Sequence, residues 1–344
     1  MRDKMQQSFF KSVRFALRHG QRWWRAAGLV LGLLFLQGAM AQTNNYPSKP
    51  LRLIVPFPPG GPVDVIGRVT ADVLSQALGQ PVVVENRAGA GGVIGTDLVA
   101  KAPADGYTLG IGPISSLSIT PAMGKKTPYN VDTDLTMVSL LGKVVGALVA
   151  HPGAPFDTLE QMIAYAKAHP GELTYASSGP GTSSHLAGEY LSARAGVKMV
   201  HVPYKGTAPA IQDLLGGQVP LYFETSLAAA AAMVNDKRLK ALAITGPARS
   251  ALLPGVATVA EQGFPGFDVS PWMALIAPAQ LPEPLVEKLN KAVREGMTSP
   301  QVAKRLALIG GMAETSSPAE ARKFVQNDTA HWRKLIKDAN IRFD

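Results

Sequence analysis

The chain has 344 residues, a formal net charge of +9 and no cysteine. Without thiols it forms no disulfide and carries no cysteine-linked lipid, and its length exceeds what one hydrophobic core usually supports, so we expect two lobes. Residues 1–41 hold seven of the 34 basic residues and one of the 25 acidic ones, which leaves 27 against 24, a net charge of +3. The chain after residue 41 therefore lacks the basic excess of a nucleic-acid-binding protein, and we expect no nucleic-acid partner.

The first 41 residues have the three parts of a secretory signal peptide. A head with seven basic residues precedes an apolar run over residues 26–40, and the small residues Ala39 and Ala41 flank Met40 before Gln42. The run, about 15 residues, is short for a membrane span. We therefore predict export to the periplasm with cleavage after Ala41. The alternative is an uncleaved anchor helix. The long basic head favours this alternative, whereas the small residues before Gln42 favour cleavage.

Beyond residue 46, short β-branched runs alternate with helical stretches, and Gly and Pro separate them. This pattern predicts an α/β fold with parallel strands. The first half contains strand 51–57, helix 63–78, strand 82–85, helix 93–102 and strand 107–112. The second half contains helix 159–169, strand 173–176, helix 184–195, strand 199–202, helix 209–215, strand 221–223, helix 228–234 and strand 239–244. Further helices are predicted at 283–297, 300–309 and 318–339.

Two apolar stretches, 137–150 and 269–277, lie where one block of units gives way to the next. We predict that both cross between two lobes and form a hinge beside a ligand cleft. Lobe 1 then comprises residues 46–147 and 270–344. Lobe 2 comprises residues 148–269.

A turn rich in Gly and Pro, residues 56–64, follows the first predicted strand and opens the first predicted helix. Glycines such as Gly60 and Gly61 let the backbone approach a ligand, and a helix start offers unpaired N–H groups with partial positive charge. Anions bind at such sites. Asp64 in the first turn has two interpretations, capping of the helix or a contact with a donor on the ligand.

A second turn, residues 176–185, also joins a strand to a helix, and it adds hydroxyl groups. A carboxylate there accepts hydrogen bonds from Thr182 or Ser183 and from adjacent N–H groups, each contributing ~1.5–3 kcal/mol. Capping of the helix by the same hydroxyls is the alternative explanation. The presence of two such turns in one chain favours an anion site.

Other motifs in the chain carry no chemistry that we can assign. Glycines within 89–95 follow a strand only after an intervening segment, which favours a plain turn over a dinucleotide fingerprint. His185 and Glu189 lie four residues apart without a third ligand nearby in sequence, so we predict no metal. The sequence has no G-x-S-x-G elbow, Walker loop or H-E-x-x-H motif. We expect no catalytic residue and no cofactor.

Ordered sequence blocks extend over nearly the whole chain after residue 45. They are YPSKP (46–50), IVPF (54–57) with PGG (59–61), VENR (84–87) with GAGG (89–92), DGYTL (105–109), YASSG (175–179), HLAGE (185–189), VPYKG (202–206), DLLGGQV (213–219) and PGVATVAE (254–261). In these blocks the chain resembles the extracytoplasmic solute receptors of the tripartite tricarboxylate transporter system, the Bug family.

The resemblance implies a type II periplasmic-binding-protein fold, with two lobes joined by a two-stranded hinge and a ligand cleft between them. It implies a monomer that binds a small organic carboxylate and delivers it to the membrane permease subunits without chemistry on the ligand. In the family, the loops at 59–64 and 178–185 face each other across the carboxylate, and the segment at Glu224 helps select the rest of the ligand. The predicted ligand-binding residues are Phe57, Pro59, Gly60, Gly61, Val63, Asp64, Ser178, Gly179, Gly181, Thr182, Ser183, His185, Tyr204 and Glu224. Core packing is the alternative for Phe57, Tyr204 and Trp272.

Four positions depart from the usual family pattern near this site. Val63 stands where Ser or Thr is common, Thr120 replaces a frequent Asn, and Glu224 replaces a frequent Asp. Pro180 stiffens the second loop and removes one N–H group. These changes favour a bulkier or more apolar acid than a small hydroxylated di- or tricarboxylate.

The predicted mechanism is ligand-driven closure, because an acid that contacts both lobes binds the closed form better than the open form. Two alternative functions from other classes of protein are also consistent with the sequence. One is a sensor that presents its carboxylate ligand to a membrane kinase. The other is a secreted hydrolase, for which Ser178 or Ser183 with His185 is the candidate nucleophile and base.

Overall fold

Two separate β-sheets organise the protein. The computed structural model describes residues 46–338 and 341, so the predicted signal peptide and its cleavage site lie outside the described residues. The strands are β1 (Leu51–Val55), β2 (Val82–Asn86), β3 (Thr108–Pro113), β4 (Leu135–Val144), β5 (Ala147–Ala150), β6 (Thr174–Ser177), β7 (Val200–Pro203), β8 (Leu221–Glu224), β9 (Lys240–Ile244), β10 (Trp272–Pro278) and β11 (Gly311–Ala313). The first sheet has the order β11-β4-β10-β3-β1-β2, and the second has the order β7-β6-β8-β5-β9.

Both sheets are mixed, whereas the sequence pattern predicted parallel strands. In the first sheet β1 runs parallel to β2 and β3, but β10 is antiparallel to β3 and β4. In the second sheet β6 runs parallel to β7 and β8, but β5 is antiparallel to β8 and β9. The strands that run against the parallel members of their sheets, β5 in the second sheet and β10 in the first, belong to the two stretches predicted to cross between lobes. A strand that arrives from the other sheet has no crossover helix to set a parallel direction.

Helices cover the sheets. The longer ones are α1 (Pro62–Leu78), α2 (Val93–Ala100), α3 (Leu159–Ala168), α4 (Ser183–Ala195), α5 (Thr207–Leu215), α6 (Leu227–Asn235), α7 (Glu283–Met297), α8 (Pro300–Ala307) and α9 (Pro318–Asp338). Short helical turns occur at Ala90–Gly92, Ser115–Ile119 and Thr120–Ala122. No helix in the described part of the chain combines the length and the hydropathy that a membrane span needs.

The apolar spacing of α1 explains its position. Pro62 occupies the first turn, where its missing N–H costs nothing, and Ile66, Val69 and Val73 recur on one buried face. This face packs toward the first sheet and α7. Gly296 on α7 allows the close approach, because a Cβ there would lie 2.3 Å from Cγ1 of Val73. The helix therefore packs closely on α7 and the first sheet, and it begins after the loop that follows β1.

The chain passes between the sheets twice, from β4 to β5 and from β9 to β10. The backbone N–H of Val144 donates to the carbonyl oxygen of Pro271 at 2.8 Å, so the two crossing segments are hydrogen-bonded to each other. A buried apolar cluster continues through both halves, from Ile54 and Ile276 to Tyr175 and Phe223. The exact lobe limits stay a prediction.

Candidate ligand-binding site

A cavity of about 530 Å³ lies between the two sheets. Its wall contains residues that end or directly follow four strands: Phe57 after β1, Pro113 in β3, Ser178 after β6 and Glu224 in β8. Ligands of α/β proteins bind outside the carboxyl ends of parallel strands, and the volume falls within the ~300–1,000 Å³ typical of small-molecule sites. The cavity is therefore the candidate site.

The structure brings nine of the predicted ligand-binding residues into the cavity wall. They are Phe57, Pro59, Gly60, Gly61, Val63, Ser178, Thr182, Ser183 and Glu224. The other five, Asp64, Gly179, Gly181, His185 and Tyr204, lie outside the wall. Trp272, which had core packing as its alternative, lies in the wall as well.

Asp64 holds the loop in front of α1 instead of facing the cavity. Its carboxylate accepts hydrogen bonds from the backbone N–H of Gly60 at 3.0 Å, from Arg68 at 2.9 Å and from Asn86 Nδ2 at 2.9 Å. Burial favours the neutral acid, but these hydrogen bonds outweigh it and hold the pKa of Asp64 below its ordinary value. Asp64 is thus an ionised acceptor that fixes the loop.

The start of α1 nevertheless offers free donors. The N–H of Gly60 already donates a hydrogen bond to Asp64, and Pro62 has no N–H group. The N–H groups of Gly61 and Val63 have no acceptor among the described residues. Both residues line the cavity, so this helix start presents partial positive charge there.

The start of α4 is arranged in the same way. Thr182 caps the helix, since its Oγ1 accepts the N–H of His185 at 3.4 Å and donates to the carbonyl oxygen of Gly179 at 2.6 Å. For Thr182 the capping interpretation is therefore confirmed. The N–H groups of Ser183 and Ser184 have no acceptor in residues 46–338. Ser183 lines the cavity.

Gly181 and His185 have structural roles in this loop. The N–H of Gly181 donates to Nδ1 of His185 at 3.1 Å, so it is already paired. The ring of His185 stacks on that of His201, with centroids 3.9 Å apart and planes at 16°. Burial, with the charges of His201 and Lys125 adding to it, lowers the pKa of His185 to about 3. The imidazole is neutral and packed beneath the loop.

A third helix start, which sequence reasoning missed as a site, lies at the same cavity. Gly206 precedes α5 and donates its N–H to the carbonyl oxygen of Ser178 at 3.1 Å, which ties this loop to the one before α4. The N–H groups of Thr207 and Ala208 have no acceptor within the described part of the chain, and both residues line the cavity. A glycine within two residues of a helix start was the available signal, as at Gly61 and Gly181.

Lys205, and not the predicted Tyr204, is the residue of this segment that reaches the cavity. The hydroxyl of Tyr204 donates to Asp213 at 2.7 Å within the second half of the chain. Lys205 is exposed and forms no ion pair with any described residue. It supplies a free positive charge beside the three helix starts.

Glu224 is the acidic residue of the wall, and it is 1% exposed. Its Oε1 accepts the N–H of Ser226 at 2.7 Å, whereas Oε2 has no hydrogen-bond partner among the described residues. Burial, opposed by hydrogen bonds from Ser226 and Thr225, raises the pKa of Glu224 to about 7. Near neutral pH this carboxyl group is partly protonated.

The remaining wall is mostly apolar, and apart from Trp272 the sequence analysis did not single out its residues. The crossing segments contribute Val144, Trp272 and Met273, and one side of α6 contributes Ala232 and Met233. In the described residues no cluster of three or more His, Asp or Glu side chains is placed to hold a metal ion. The site can bind an anion with an apolar body through hydrogen bonds and charge.

Comparison with known proteins agrees with a solute receptor. The family model "Tripartite tricarboxylate transporter family receptor" matches residues 66–341. The chain is 39% identical to Protein BugT of Bordetella pertussis over 317 residues, which cover 91% of this chain and 97% of BugT.

Two solved structures share the fold over nearly their full length. R. palustris Rpa4515 with adipate has a TM-score of 0.81 and 33% identity, covering 86% of this chain and 99% of its own. MatC from Rhodopseudomonas palustris with bound malate has a TM-score of 0.79 and 32% identity, covering 85% of this chain and all of its own. These likenesses confirm the predicted two-lobe type II fold.

The members of this family are periplasmic solute-binding receptors and not enzymes, and some bind carboxylates. The hydrolase alternative is therefore excluded. The chain belongs to the tripartite tricarboxylate transporter receptor family, the Bug family.

Proposed function

We propose that this chain is an exported, monomeric receptor that captures a small organic carboxylate in the cavity by lobe closure. It then delivers the ligand to the membrane permease of a tripartite tricarboxylate transporter. In this proposal lobe 1 is residues 46–147 with 270–344, and lobe 2 is residues 148–269.

The main support for this proposal is that unpaired N–H groups at the starts of α1, α4 and α5 line the same cavity. A hydrogen bond to a charged group contributes ~1.5–3 kcal/mol, and a helix dipole adds ~0.3–1 kcal/mol. A few such contacts reach the ~8 kcal/mol of micromolar binding. Lys205 adds a free cation at the same place.

Closure follows from which lobe provides the donors. The start of α1 belongs to lobe 1, whereas α4 and α5 belong to lobe 2. A carboxylate that accepts hydrogen bonds from both binds only the closed form fully, so it shifts the population toward closure. An acid that contacts one lobe alone shifts nothing.

Ser183 allows a single donor to be tested. Ser183→Pro removes the N–H at the first helical position, where proline is well tolerated, and Thr182 before it has the extended backbone, φ −80° and ψ 163°, that proline requires. We expect an acid that raises the melting temperature of the parent to bind about 10- to 100-fold more weakly. A thermal-shift screen of mono-, di-, tricarboxylic and aromatic acids, followed by calorimetry, measures this.

Ser183→Ala is the matched control, because it removes the hydroxyl and keeps the N–H. It should bind more tightly than the proline variant, because it keeps the N–H donor. Equal affinities of the proline variant and the parent would refute the proposed anion site, as would a screen in which no acid binds.

Delivery to a permease is tested separately. Ligand-loaded receptor should co-purify with the permease subunits in detergent and restore uptake of that ligand in vesicles. Co-purification with a membrane kinase ectodomain instead would favour the sensor role.

A further inference from the structure

The cavity wall has two charged side chains in the described part of the chain, Lys205 and Glu224. They differ in environment, since Lys205 is exposed and Glu224 is buried. They form no ion pair with each other or with any other described residue. The positive charge therefore does not neutralise the carboxyl group of Glu224.

Glu224 is only half satisfied by the protein. Oε1 accepts the N–H of Ser226, but Oε2 is buried and has no partner within residues 46–338. A buried polar atom without a hydrogen bond destabilises the folded protein, and native proteins rarely leave one unpaired. Glu224 lines the cavity, but Oε2 is covered in this structure, so an occupant of the cavity becomes its partner through a small rearrangement of this side chain.

The chemistry of that partner is restricted. A second carboxylate beside the ionised form of Glu224 would place like charges in an apolar wall, so it fits only the protonated form. A plain hydrocarbon would leave Oε2 unpaired. A hydroxyl or a carboxamide satisfies the carboxyl group in either protonation state, because each can both donate and accept.

We infer that the ligand is a monocarboxylate with an apolar body that carries one additional uncharged hydrogen-bonding group, a hydroxyl or a carboxamide, which pairs with Glu224. This inference rests on the proposed function, in which the helix starts hold the carboxylate. The apolar surfaces of Trp272, Met233 and Val144 then contact the body of the ligand.

Matched series of acids test this by calorimetry at neutral pH. The aromatic series is benzoate, para-hydroxybenzoate, para-carbamoylbenzoate and terephthalate. The aliphatic series is hexanoate, its terminal hydroxy and carboxamide derivatives, and adipate. In at least one series the hydroxyl or carboxamide acid should bind about tenfold more tightly than both its hydrocarbon and its dicarboxylate counterparts.

Two variants assign the preference to Glu224. Glu224→Gln keeps a neutral hydrogen-bonding group of the same size and should preserve the preference. Glu224→Met removes that group at similar volume, and the hydroxyl or carboxamide acid should then lose its advantage over the hydrocarbon acid. Should the methionine variant fail to fold, a glutamine variant without the preference would already contradict the inference.

The outcomes separate this inference from the proposed function. Tightest binding of adipate or terephthalate overturns the inference and leaves the carboxylate receptor standing. Equal binding of hydrocarbon and hydroxyl acids, or a preference that survives in Glu224→Met, also overturns it alone. If no acid of either series or of the wider screen binds, both the inference about Glu224 and the proposed function are contradicted.

Discussion

At the residue scale, the loops before α1 and α4 are held by their own polar groups. Asp64 accepts the N–H of Gly60, and Thr182 bonds to Gly179, so each loop is fixed without a ligand. The donors left free, such as those of Gly61 and Ser183, are consequently preorganised. Binding then avoids part of the entropy cost of ordering the loops.

The buried histidine pair makes stability depend on pH. The pKa of His185 falls from 6.5 to about 3 through burial and the charges of His201 and Lys125, and burial lowers that of His201 to about 4. Unfolded imidazoles take up protons below pH 6.5, whereas the folded ones stay neutral, so the free energy of unfolding should fall as the pH falls from 6.5 to 4. His185 alone contributes about 1.4 kcal/mol per pH unit.

Urea denaturation at a series of pH values measures this dependence. His185→Gln removes one titrating group from the pair, so its free energy of unfolding should change less steeply with pH than that of the parent. Parallel pH profiles for parent and variant would show that His185 does not carry the effect.

Sequence reasoning found the cavity residues that belong to a recognisable pattern, glycines and small polar residues between a strand and a helix. It also predicted ligand contacts for Asp64 and His185, and these stay predictions. In the structure Asp64 accepts hydrogen bonds from Gly60 and Asn86, and Nδ1 of His185 accepts one from Gly181. The conformation of a loop determines whether an N–H group or a carboxylate faces the cavity, and a single sequence does not reveal that conformation. Met233 and Val144 gave no signal beyond being apolar.

At the element scale, the short turn Ala90–Gly92 contacts the loop before α4. Gly91 has φ +63°, and a Cβ there would lie 2.8 Å from the carbonyl oxygen of Pro180. Gly91→Ala should therefore push apart two loops that the proposal places in different lobes. We expect the affinity for a carboxylate ligand, measured by calorimetry, to fall about tenfold, or ~1.4 kcal/mol, with the fold retained.

Gly196 at the end of α4 provides the matched control. Its φ is also +63°, but a Cβ there would meet nothing within 4 Å. Gly196→Ala should carry comparable backbone strain and lower the melting temperature by a similar amount without weakening binding. A comparable loss of affinity in both variants would contradict a closing contact at Gly91.

Most helices and strands were predictable to within about two residues, because hydrophobic periodicity with Gly and Pro punctuation defines them. The helix at Glu283–Met297 matches its prediction at both ends. The strand Gly311–Ala313 was not predicted, because it has only three residues and shows no alternation of apolar and polar side chains. It pairs with β4. The antiparallel strands were also missed, because strand direction depends on how the chain returns from the other sheet.

At the scale of the whole molecule, the proposed export places the receptor in the periplasm, and this is testable. Mass spectrometry of the periplasmic fraction should find a mature protein that begins at Gln42. Ala41→Trp should block cleavage and retain the precursor, because the processing site requires small residues. Recovery of the parent chain with Met1 intact in the membrane fraction would instead support the uncleaved anchor.

In the proposed mechanism, helix starts from both lobes jointly hold one carboxylate. A crystal structure with the acid that raises the melting temperature most tests it directly. We expect its carboxylate oxygens within about 3 Å of a backbone nitrogen at the start of α1 and of another at the start of α4 or α5. A carboxylate that contacts only one lobe, or that lies outside this cavity, would contradict this mechanism.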